Sequence, residues 1–354
     1  MLSPYSPEKI LCHHTTWLQV KDWYETSQKN QWIRFELPPP ITVSVDLANK
    51  CNMRCIGCNA DFLLKKERQC MLDKDFLDEL ADVLGSWNVK GVCLGGGGES
   101  TLNPNLSFFI DRLTQNHVGA GLISNGLLLH KHDLNKLKWL GVSMDAGTAD
   151  VWGLVHGVKP ELFDRVLDNI RNLTKNGLDI TYKYLIRPEN VNDVYEAVKK
   201  ADELGCSAFH IRPMAIPWFE KKRAIFIEED VKKVNEQLEK AKSDFKIKII
   251  GVFNKVGQQW EIVHPFKKCW AIYITCVFMA NKKVSFCCDR RGDKTVEIGP
   301  LEHPKEILNF WGSKKHFELQ KKICLRQCSR CTFGYFNYAF ENCVLEDNVF
   351  LDFI

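Results

Sequence analysis

Residues 41–58, ITVSVDLANKCNMRCIGC, run from a β-rich segment directly into three closely spaced cysteines. Alternating β-branched residues predict a strand over Ile41–Leu47. Strand-like and helix-like segments then alternate along the chain in six β/α units, the first of which begins with this strand. Further strands are predicted at Val89–Leu94, Val118–Ser124, Trp139–Asp145, Asp179–Ile186, Ser207–Arg212 and Lys246–Val252. Helices are predicted at Asp73–Leu84, Asn105–Gln115, His130–Leu137, Pro160–Asn176, Val191–Leu204 and Glu228–Ser243. This alternation predicts a parallel sheet covered by helices, either an open doubly wound sheet or a full or partial barrel.

Three regions differ in composition. Residues 1–37 form a polar lead-in with several aromatic residues, among them Trp17, Trp23, Tyr24 and Trp32. These are interpreted as a strap on the core or as a substrate lid. Residues 38–252 contain the β/α units, beginning at three consecutive prolines. Residues 253–354 contain eight of the 15 cysteines and little regular periodicity. We therefore expect a small C-terminal α+β domain organised around metal.

Composition excludes several classes of protein. The 354 residues carry 48 basic and 44 acidic side chains, an excess too small to indicate a nucleic-acid partner. The N-terminal residues lack the pattern of a signal peptide, and no apolar run reaches the roughly 18 residues of a membrane span. The odd number of cysteines cannot pair completely. We expect a cytoplasmic protein with free or metal-bound thiols and no membrane partner.

The cysteines after the first strand, Cys51, Cys55 and Cys58, are spaced C-x3-C-x2-C. Thiolates at this spacing can converge on zinc or on an iron–sulfur cluster. No further Cys or His follows closely to complete a four-ligand zinc site. A cubane cluster held by three cysteines instead leaves one iron open. The loop follows the C-terminal end of a strand, where parallel α/β folds place their active sites.

This triplet resembles the hallmark of the radical S-adenosylmethionine (radical SAM) superfamily. Four further segments are similar to its motifs in order and spacing. Residues 95–102, GGGGESTL, resemble its GGE-P segment with Ser100 in place of Pro. Residues 124–126 (SNG) and 143–148 (SMDAGT) resemble its T-N-G and S-x-D-A-G-T segments, and Arg212 lies on the sixth strand. Two departures are Gly57, where an aromatic residue is common, and His156, where Arg is common.

The resemblance implies a partial (β/α)6 TIM-like barrel and a three-cysteine [4Fe-4S] cluster that binds S-adenosylmethionine. It implies an electron from an external donor of the flavodoxin or ferredoxin type, and a 5′-deoxyadenosyl radical that abstracts a substrate hydrogen. The residues carried over to the cofactor pocket are Gly97, Gly98, Glu99, Ser124, Asn125, Ser143, Asp145 and Arg212. Cys93, just before the glycine run, is a candidate donor of a hydrogen atom or proton.

The C-terminal cysteines suggest a second metal centre. A predicted hairpin turn at residues 280–285 would bring Cys269 and Cys287 to one end, where the knuckle Cys328-Ser-Arg-Cys331 could complete a four-thiolate site. The arrangement resembles the SPASM and twitch extensions, which carry auxiliary iron–sulfur clusters. Asn337 stands where a full SPASM would have Cys, so one auxiliary [4Fe-4S] cluster is favoured over two. Spacing leaves structural zinc open, and three other thiols could join or displace the set: Cys276, Cys324 and Cys343.

The substrate is less constrained than the chemistry. The twitch-like spacing favours a small polar metabolite, such as an amino sugar or cyclitol, and modification of a ribosomally made peptide is the main alternative. RNA ranks third because the net charge is only +4. A non-catalytic electron carrier or zinc-stabilised module is a different class, and such a protein would not need the Glu99 and Asp145 segments.

Overall fold

The computed structural model describes residues 7–29, 36–67, 69–214, 218, 228–251, 264–328 and 331–345. Trp32 and part of the expected lid segment lie outside these residues. Within them, ten strands form one sheet in the order β10-β9-β8-β1-β2-β3-β4-β5-β6-β7. The strands are β1 Thr42–Val45, β2 Gly91–Leu94, β3 Gly119–Ser124, β4 Trp139–Ser143, β5 Ile180–Ile186, β6 Ala208–Pro213, β7 Lys248–Gly251, β8 Thr275–Phe278, β9 Val284–Ser285 and β10 Glu297–Ile298.

Strands β1 to β7 are parallel neighbours in chain order, as the alternation predicts. The sheet is mixed overall and open at its ends, which matches a partial rather than a closed barrel. Its parallel register aligns Ser44 with Cys93, and Ser143 with Lys183 and His210. These five side chains line the same cavity. The cavity therefore occupies the interior of the barrel, with the carboxyl ends of the strands at its mouth.

The described residues also form eleven α-helices. They are α1 His14–Gln28, α2 Asp61–Lys66, α3 Lys74–Ser86, α4 Leu106–Gln115, α5 Ala149–His156, α6 Leu162–Lys175, α7 Val194–Glu203, α8 Glu228–Asp244, α9 Ile307–Phe310, α10 Lys314–Lys322 and α11 Gly334–Ala339. Helix α3 begins where the side chain of Asp73 accepts a hydrogen bond from Phe76 N, at 2.9 Å. Leu77 and Leu80 then point into the core. The 3.6-residue period thus explains which face of this helix is buried.

The helix predicted at His130–Leu137 is wrong. The chain forms only a 3-10 turn at Leu129–Lys131. Side chains take the backbone groups that a helix would pair, since Asp133 Oδ1 accepts from Asn135 N and Ser107 Oγ accepts from Asp133 N. Helix α5, in contrast, was not predicted, because its eight residues include Gly153 and two valines.

The C-terminal region extends the barrel sheet, because β8 pairs in parallel with β1 along its whole length. The predicted hairpin is confirmed as β8 and β9. Lys282 in its turn has φ +62°, a backbone conformation that favours glycine. The predicted boundary at residue 253 therefore marks a change in sequence pattern, but the sheet of the barrel continues beyond it.

The lead-in helix α1 packs on this C-terminal region. The rings of Trp23 and Tyr273 are 4.8 Å apart between centroids, and those of Trp17 and Phe340 are 4.9 Å apart. Trp17 and Trp23 are at most 3% exposed. The described part of the lead-in is therefore a strap rather than a lid. No helix among the described residues is long and apolar enough to cross a membrane.

Candidate active site

The three cysteines of the first triplet lie on the loop between β1 and α2 and border the barrel cavity. Two backbone hydrogen bonds fix this loop to α5: Arg54 N donates to His156 O and Ile56 N donates to Val155 O, both at 2.9 Å. Gly157 ends α5 with φ +62°, and a Cβ there would lie 2.5 Å from Arg54 O. The close approach of loop and helix therefore requires glycine at this position.

The thiols of the triplet lie close enough to interact electrostatically. Burial raises the pKa of Cys51 to about 11, and the charges of Glu99 and Cys58 add to this effect. Burial and the other two thiols also raise the pKa of Cys55. Three buried thiols in one site favour the protonated form unless a positive group replaces the protons. The site therefore suits a metal group that binds all three as thiolates.

The spacing of the donors bears on what that group can be. Among the described residues, no three or more His, Cys, Asp or Glu side chains are arranged to hold a metal ion. The thiolates of an iron–sulfur cubane bind different irons and can therefore stand further apart than the ligands of one ion. The three thiols of the triplet could therefore each bind a different iron of a [4Fe-4S] cluster.

His156 is a neighbour of the triplet that the sequence did not assign. Its Nδ1 lies 3.1 Å from Cys55 Sγ, and its Nε2 lies 2.9 Å from Met144 O. Burial lowers the pKa of His156, so the neutral ring donates from Nε2 to the carbonyl and accepts from the thiol at Nδ1. The sequence indicated this role only through the position of His156, where the similar enzymes commonly have arginine.

The glycine-rich turn after β2 is packed against the cysteine loop. Gly98 N donates to Ala48 O and Glu99 N donates to Lys50 O, both at 2.8 Å. A Cβ on Gly98 would lie 2.2 Å from Lys50 O. Only glycine permits this approach of two backbones, and it brings Glu99 beside the triplet.

The structure brings Glu99, Ser124 and Asn125 together. Glu99 Oε1 accepts hydrogen bonds from Thr101 N (3.0 Å), Thr101 Oγ1 (2.7 Å) and Ser124 Oγ (2.8 Å). Its Oε2 accepts from Asn125 N at 2.8 Å. Asn125 Nδ2 in turn donates to Asn52 Oδ1 on the cysteine loop, at 2.7 Å. The buried carboxylate of Glu99 therefore joins the turns after β2 and β3.

Asp145, which follows β4, is held in the left-handed region with φ +52°. Its Oδ1 accepts from Leu185 N at 2.7 Å, and its Oδ2 lies 3.7 Å from Arg187 Nη2. Arg187 also donates to Ile56 O on the cysteine loop. This buried arginine was not predicted, because a single Arg before Pro188 resembles an ordinary end of a strand.

The far wall of the cavity is basic. It is lined by Lys183, His210, Arg212 and Lys248, from β5, β6 and β7. Cys93 on β2 and Ser143 on β4 face the same space. Lys183 was not predicted as a site residue. The sequence does indicate it, because Lys183 stands at an inward position of a buried strand. Burying a lysine there costs free energy unless its charge binds a partner.

The four C-terminal thiols of the preferred set are also brought together. The pKa of Cys269 is raised by burial and by the charge of Cys328, to about 12. The pKa of Cys331 is raised by burial and by Cys269 and Cys328, and that of Cys287 by burial and by Cys288, Cys269 and Cys331. These thiols therefore surround one site, as the hairpin and knuckle predict.

The alternative ligands differ in position. Cys324 lies beside Cys328, whose pKa its charge raises. Cys276 lies on β8, fully buried among apolar side chains, with no thiol among the influences on its pKa. Cys343 is exposed. Cys288, not assigned by the sequence analysis, borders the barrel cavity. Of the alternatives, only Cys324 is placed to join the set.

Asn337 has a structural role that its position in the motif did not reveal. It is fully buried, and its Oδ1 accepts from Trp270 N and Ala271 N at 2.7 and 2.8 Å. Its Nδ2 donates to Cys331 Sγ at 3.4 Å. Asn337 therefore holds α11 against the segment that carries Cys269, and it supports the set rather than extending it.

The two cysteine sites are joined through a buried ion pair. Arg291 Nε donates to Asp46 Oδ2 at 2.8 Å, and Asp46 follows β1. Asp289 accepts from Thr332 N and Thr332 Oγ1 at 2.7 and 2.8 Å. Asp289 and Arg291 both border the barrel cavity, which has a volume of about 770 Å³. One cavity is therefore lined by both parts of the chain.

Comparison with known proteins finds a family model that matches just under half of the chain. Residues 45–217 match the model of the Radical SAM superfamily. The Bacillus subtilis antilisterial bacteriocin subtilosin biosynthesis protein AlbA is 24% identical over 180 residues, or 49% of this chain and 39% of its own length. The Methanosarcina barkeri Fe-coproporphyrin III synthase is 27% identical over 157 residues, or 42% of this chain and 38% of its own. The chain thus matches less than half the length of these curated relatives.

Solved structures share the fold beyond the matched residues. Streptococcus suis SuiB bound to its precursor peptide SuiA superposes with a TM-score of 0.62, at 13% identity, over 83% of this chain and 68% of SuiB. The protein anSMEcpe, with AdoMet and the Kp18Cys peptide bound, superposes with a TM-score of 0.60, at 15% identity, over 85% of this chain and 89% of its own. The partial-barrel fold with a cysteine-rich C-terminal region is therefore confirmed.

Proposed function

Residues 45–217 are a radical SAM domain, and from that premise we propose that the chain is a radical SAM enzyme that modifies a ribosomally made peptide. Three segments that are distant in sequence converge on one cavity: the cysteine triplet, the Glu99 turn and the Asp145 turn. This convergence is the observation that carries the proposal. The bound cluster and S-adenosylmethionine supply the 5′-deoxyadenosyl radical that removes a hydrogen atom from the substrate.

The residues of the chain position these groups. Cys51, Cys55 and Cys58 would hold the catalytic cluster, with loop and helix α5 fixed to each other as described. Backbone groups of the turn at Gly97–Gly98, ordered by Glu99, would meet the polar end of the cofactor. Asp145 is oriented by Leu185 N and Arg187, and Ser143 faces the cavity beside it. Both would hold the remaining polar groups of the cofactor.

A peptide is preferred over the small polar metabolite that the spacing of the C-terminal cysteines favoured. AlbA takes part in bacteriocin biosynthesis, and SuiB has been solved with a precursor peptide. No relative supports an amino sugar or cyclitol. In this chain the cavity is also lined by Tyr335 of α11, whose side chain is 52% exposed. An exposed aromatic side chain beside the cavity suits the docking of an extended peptide.

The C-terminal thiols Cys269, Cys287, Cys328 and Cys331 would hold one auxiliary [4Fe-4S] cluster next to the cavity. Held there, the cluster would give the substrate radical an electron acceptor beside the cavity. An external flavodoxin- or ferredoxin-type protein would supply the electron that starts the reaction.

The substrate class can be tested by co-expressing the chain with the short open reading frames that flank its gene. Mass spectrometry should find one peptide with an altered mass, and the same peptide should stay unaltered with the Cys55→Ala variant. If the mass of no flanking peptide changes while that of a small metabolite in the host extract does, the proposed peptide substrate is wrong. A small polar metabolite would then be the better proposal.

Glu99 provides a test of the cofactor pocket. In Glu99→Gln, one oxygen that accepts hydrogen bonds becomes an amide that can only donate, and it must face Ser124 Oγ or Asn125 N. We expect the dissociation constant for S-adenosylmethionine to rise about tenfold, with unchanged iron content. Equilibrium dialysis with the cluster-loaded protein measures it. The control is Glu302→Gln, which changes an exposed carboxylate and should bind normally. Wild-type affinity in Glu99→Gln would show that the Glu99 network does not order the pocket.

A further inference from the structure

We propose that Lys183 and Arg212 form a binding site for a carboxylate group of the substrate, on the basic wall of the barrel cavity. This inference rests on the proposed peptide substrate. It also changes the role of Arg212, which the sequence resemblance placed with the cofactor.

The two cations lie side by side on adjacent strands. Lys183 pairs with His210 in the β5–β6 register, and Arg212 lies two residues further along β6, opposite Leu185. All of these side chains border the cavity. A Cβ on Gly141 would lie 2.7 Å from Lys183 Cδ, so the lysine side chain crosses β4 at a glycine and stays inside the barrel.

Among the described residues, neither Lys183 nor Arg212 takes part in an ion pair. Arg212 Nε is also buried without a hydrogen-bond partner. The carboxylates that border the cavity are engaged elsewhere: Glu99 by four donors, Asp145 by Leu185 N and Arg187, and Asp289 by Thr332. The wall therefore carries partly buried positive charge that no ion pair of the described residues neutralises.

The electrostatics of Lys183 agree with this reading. Burial and the facing charge of Arg212 lower the pKa of Lys183 to about 8, although the charges of Cys93 and Asp145 act in the opposite direction. Two cations held close together in a poorly solvated cavity are costly unless an anion binds between them. An anionic ligand would repay that cost, since attraction between charges is much stronger there than in bulk water.

The chemistry of the ligand follows from the substrate class. An unmodified peptide carries no anion at neutral pH other than carboxylates, either on an Asp or Glu side chain or at its C-terminus. A guanidinium can bind such a group through two parallel hydrogen bonds, and an ammonium adds a third. Bound in this way, the acidic residue would fix the register of the peptide relative to the cysteine triplet.

Small probes test the site without the natural peptide. Calorimetry would compare N-acetylglutamate α-amide, N-acetylglycine and the neutral N-acetylglutamine amide, with the cluster-loaded protein saturated in S-adenosylmethionine. The variants are Lys183→Met and Arg212→Gln, with Lys131→Met as the matched control on the exposed surface. We expect an acidic probe to bind better than the neutral one, and each cavity variant to weaken it about tenfold or more. Lys131→Met should bind like wild type.

The acidic probe that binds better identifies a side-chain or a C-terminal carboxylate, and either result supports the site. Equal binding of the acidic and neutral probes would overturn it. So would unchanged probe affinity in both variants, or variants that weaken S-adenosylmethionine instead of the probe. Formation of 5′-deoxyadenosine by the same samples shows whether the radical function holds, so the two proposals can fail separately.

Discussion

Replacing Cys55 with alanine should abolish reductive cleavage of S-adenosylmethionine while leaving the auxiliary iron in place. Cys55 is one of three thiols at the catalytic site, and its Sγ also contacts His156. With two thiolates left, the catalytic cluster loses a ligand, and iron should fall from about eight to about four per chain. The measurements are iron content after anaerobic reconstitution and 5′-deoxyadenosine formed on reduction.

The matched control for that prediction is Cys206→Ala, which removes a buried thiol from the hydrophobic core. It should retain about eight irons and normal 5′-deoxyadenosine formation. If Cys55→Ala still forms 5′-deoxyadenosine at the wild-type rate, the triplet is not the catalytic centre. If Cys55→Ala and Cys206→Ala lose the same amount of iron, the loss reflects destabilisation of the fold and not the loss of a cluster ligand.

Replacing Cys269 with alanine should have the opposite pattern. Cys269 shares its site with Cys328 and Cys331, and its carbonyl accepts a hydrogen bond from Gln320 Nε2 at 2.9 Å. We expect the variant to keep about four irons and to cleave S-adenosylmethionine, but to yield no modified peptide. Without the auxiliary cluster, the substrate radical lacks its electron acceptor.

Cys276→Ala is the control for Cys269→Ala, because Cys276 is buried in the same region but lies among apolar side chains. It should keep about eight irons. Loss of four irons in Cys276→Ala, with full iron in Cys269→Ala, would mean that the auxiliary ligand set is different. Cys324→Ala is worth measuring beside them, because Cys324 lies next to Cys328.

Local patterns allowed much of the fold to be predicted. The alternation of strand and helix periods placed β1 to β7, because each unit buries its apolar face on the next. The pairing of β8 with β1 was not predictable in the same way, since it joins residues 275–278 to residues 42–45. Helix α5 was missed because a short helix with an internal glycine depends on its packing more than on propensity.

The site shows the same division. Recognisable motifs contain the cysteine triplet, Glu99, Ser124, Asn125 and Asp145. The structure places all of these residues around one cavity. The contacts of His156 and Arg187 with the cysteine loop are tertiary, and no local spacing encodes them. Lys183 could have been found from the alternation of β5, where it occupies an inward position between Tyr182 and Tyr184.

The most direct test of the central claim is the reduction of the reconstituted wild-type protein in the presence of S-adenosylmethionine. We predict about eight irons per chain, and formation of 5′-deoxyadenosine that Cys55→Ala abolishes. Tightly bound zinc in place of iron, with intact S-adenosylmethionine after reduction, would contradict the account.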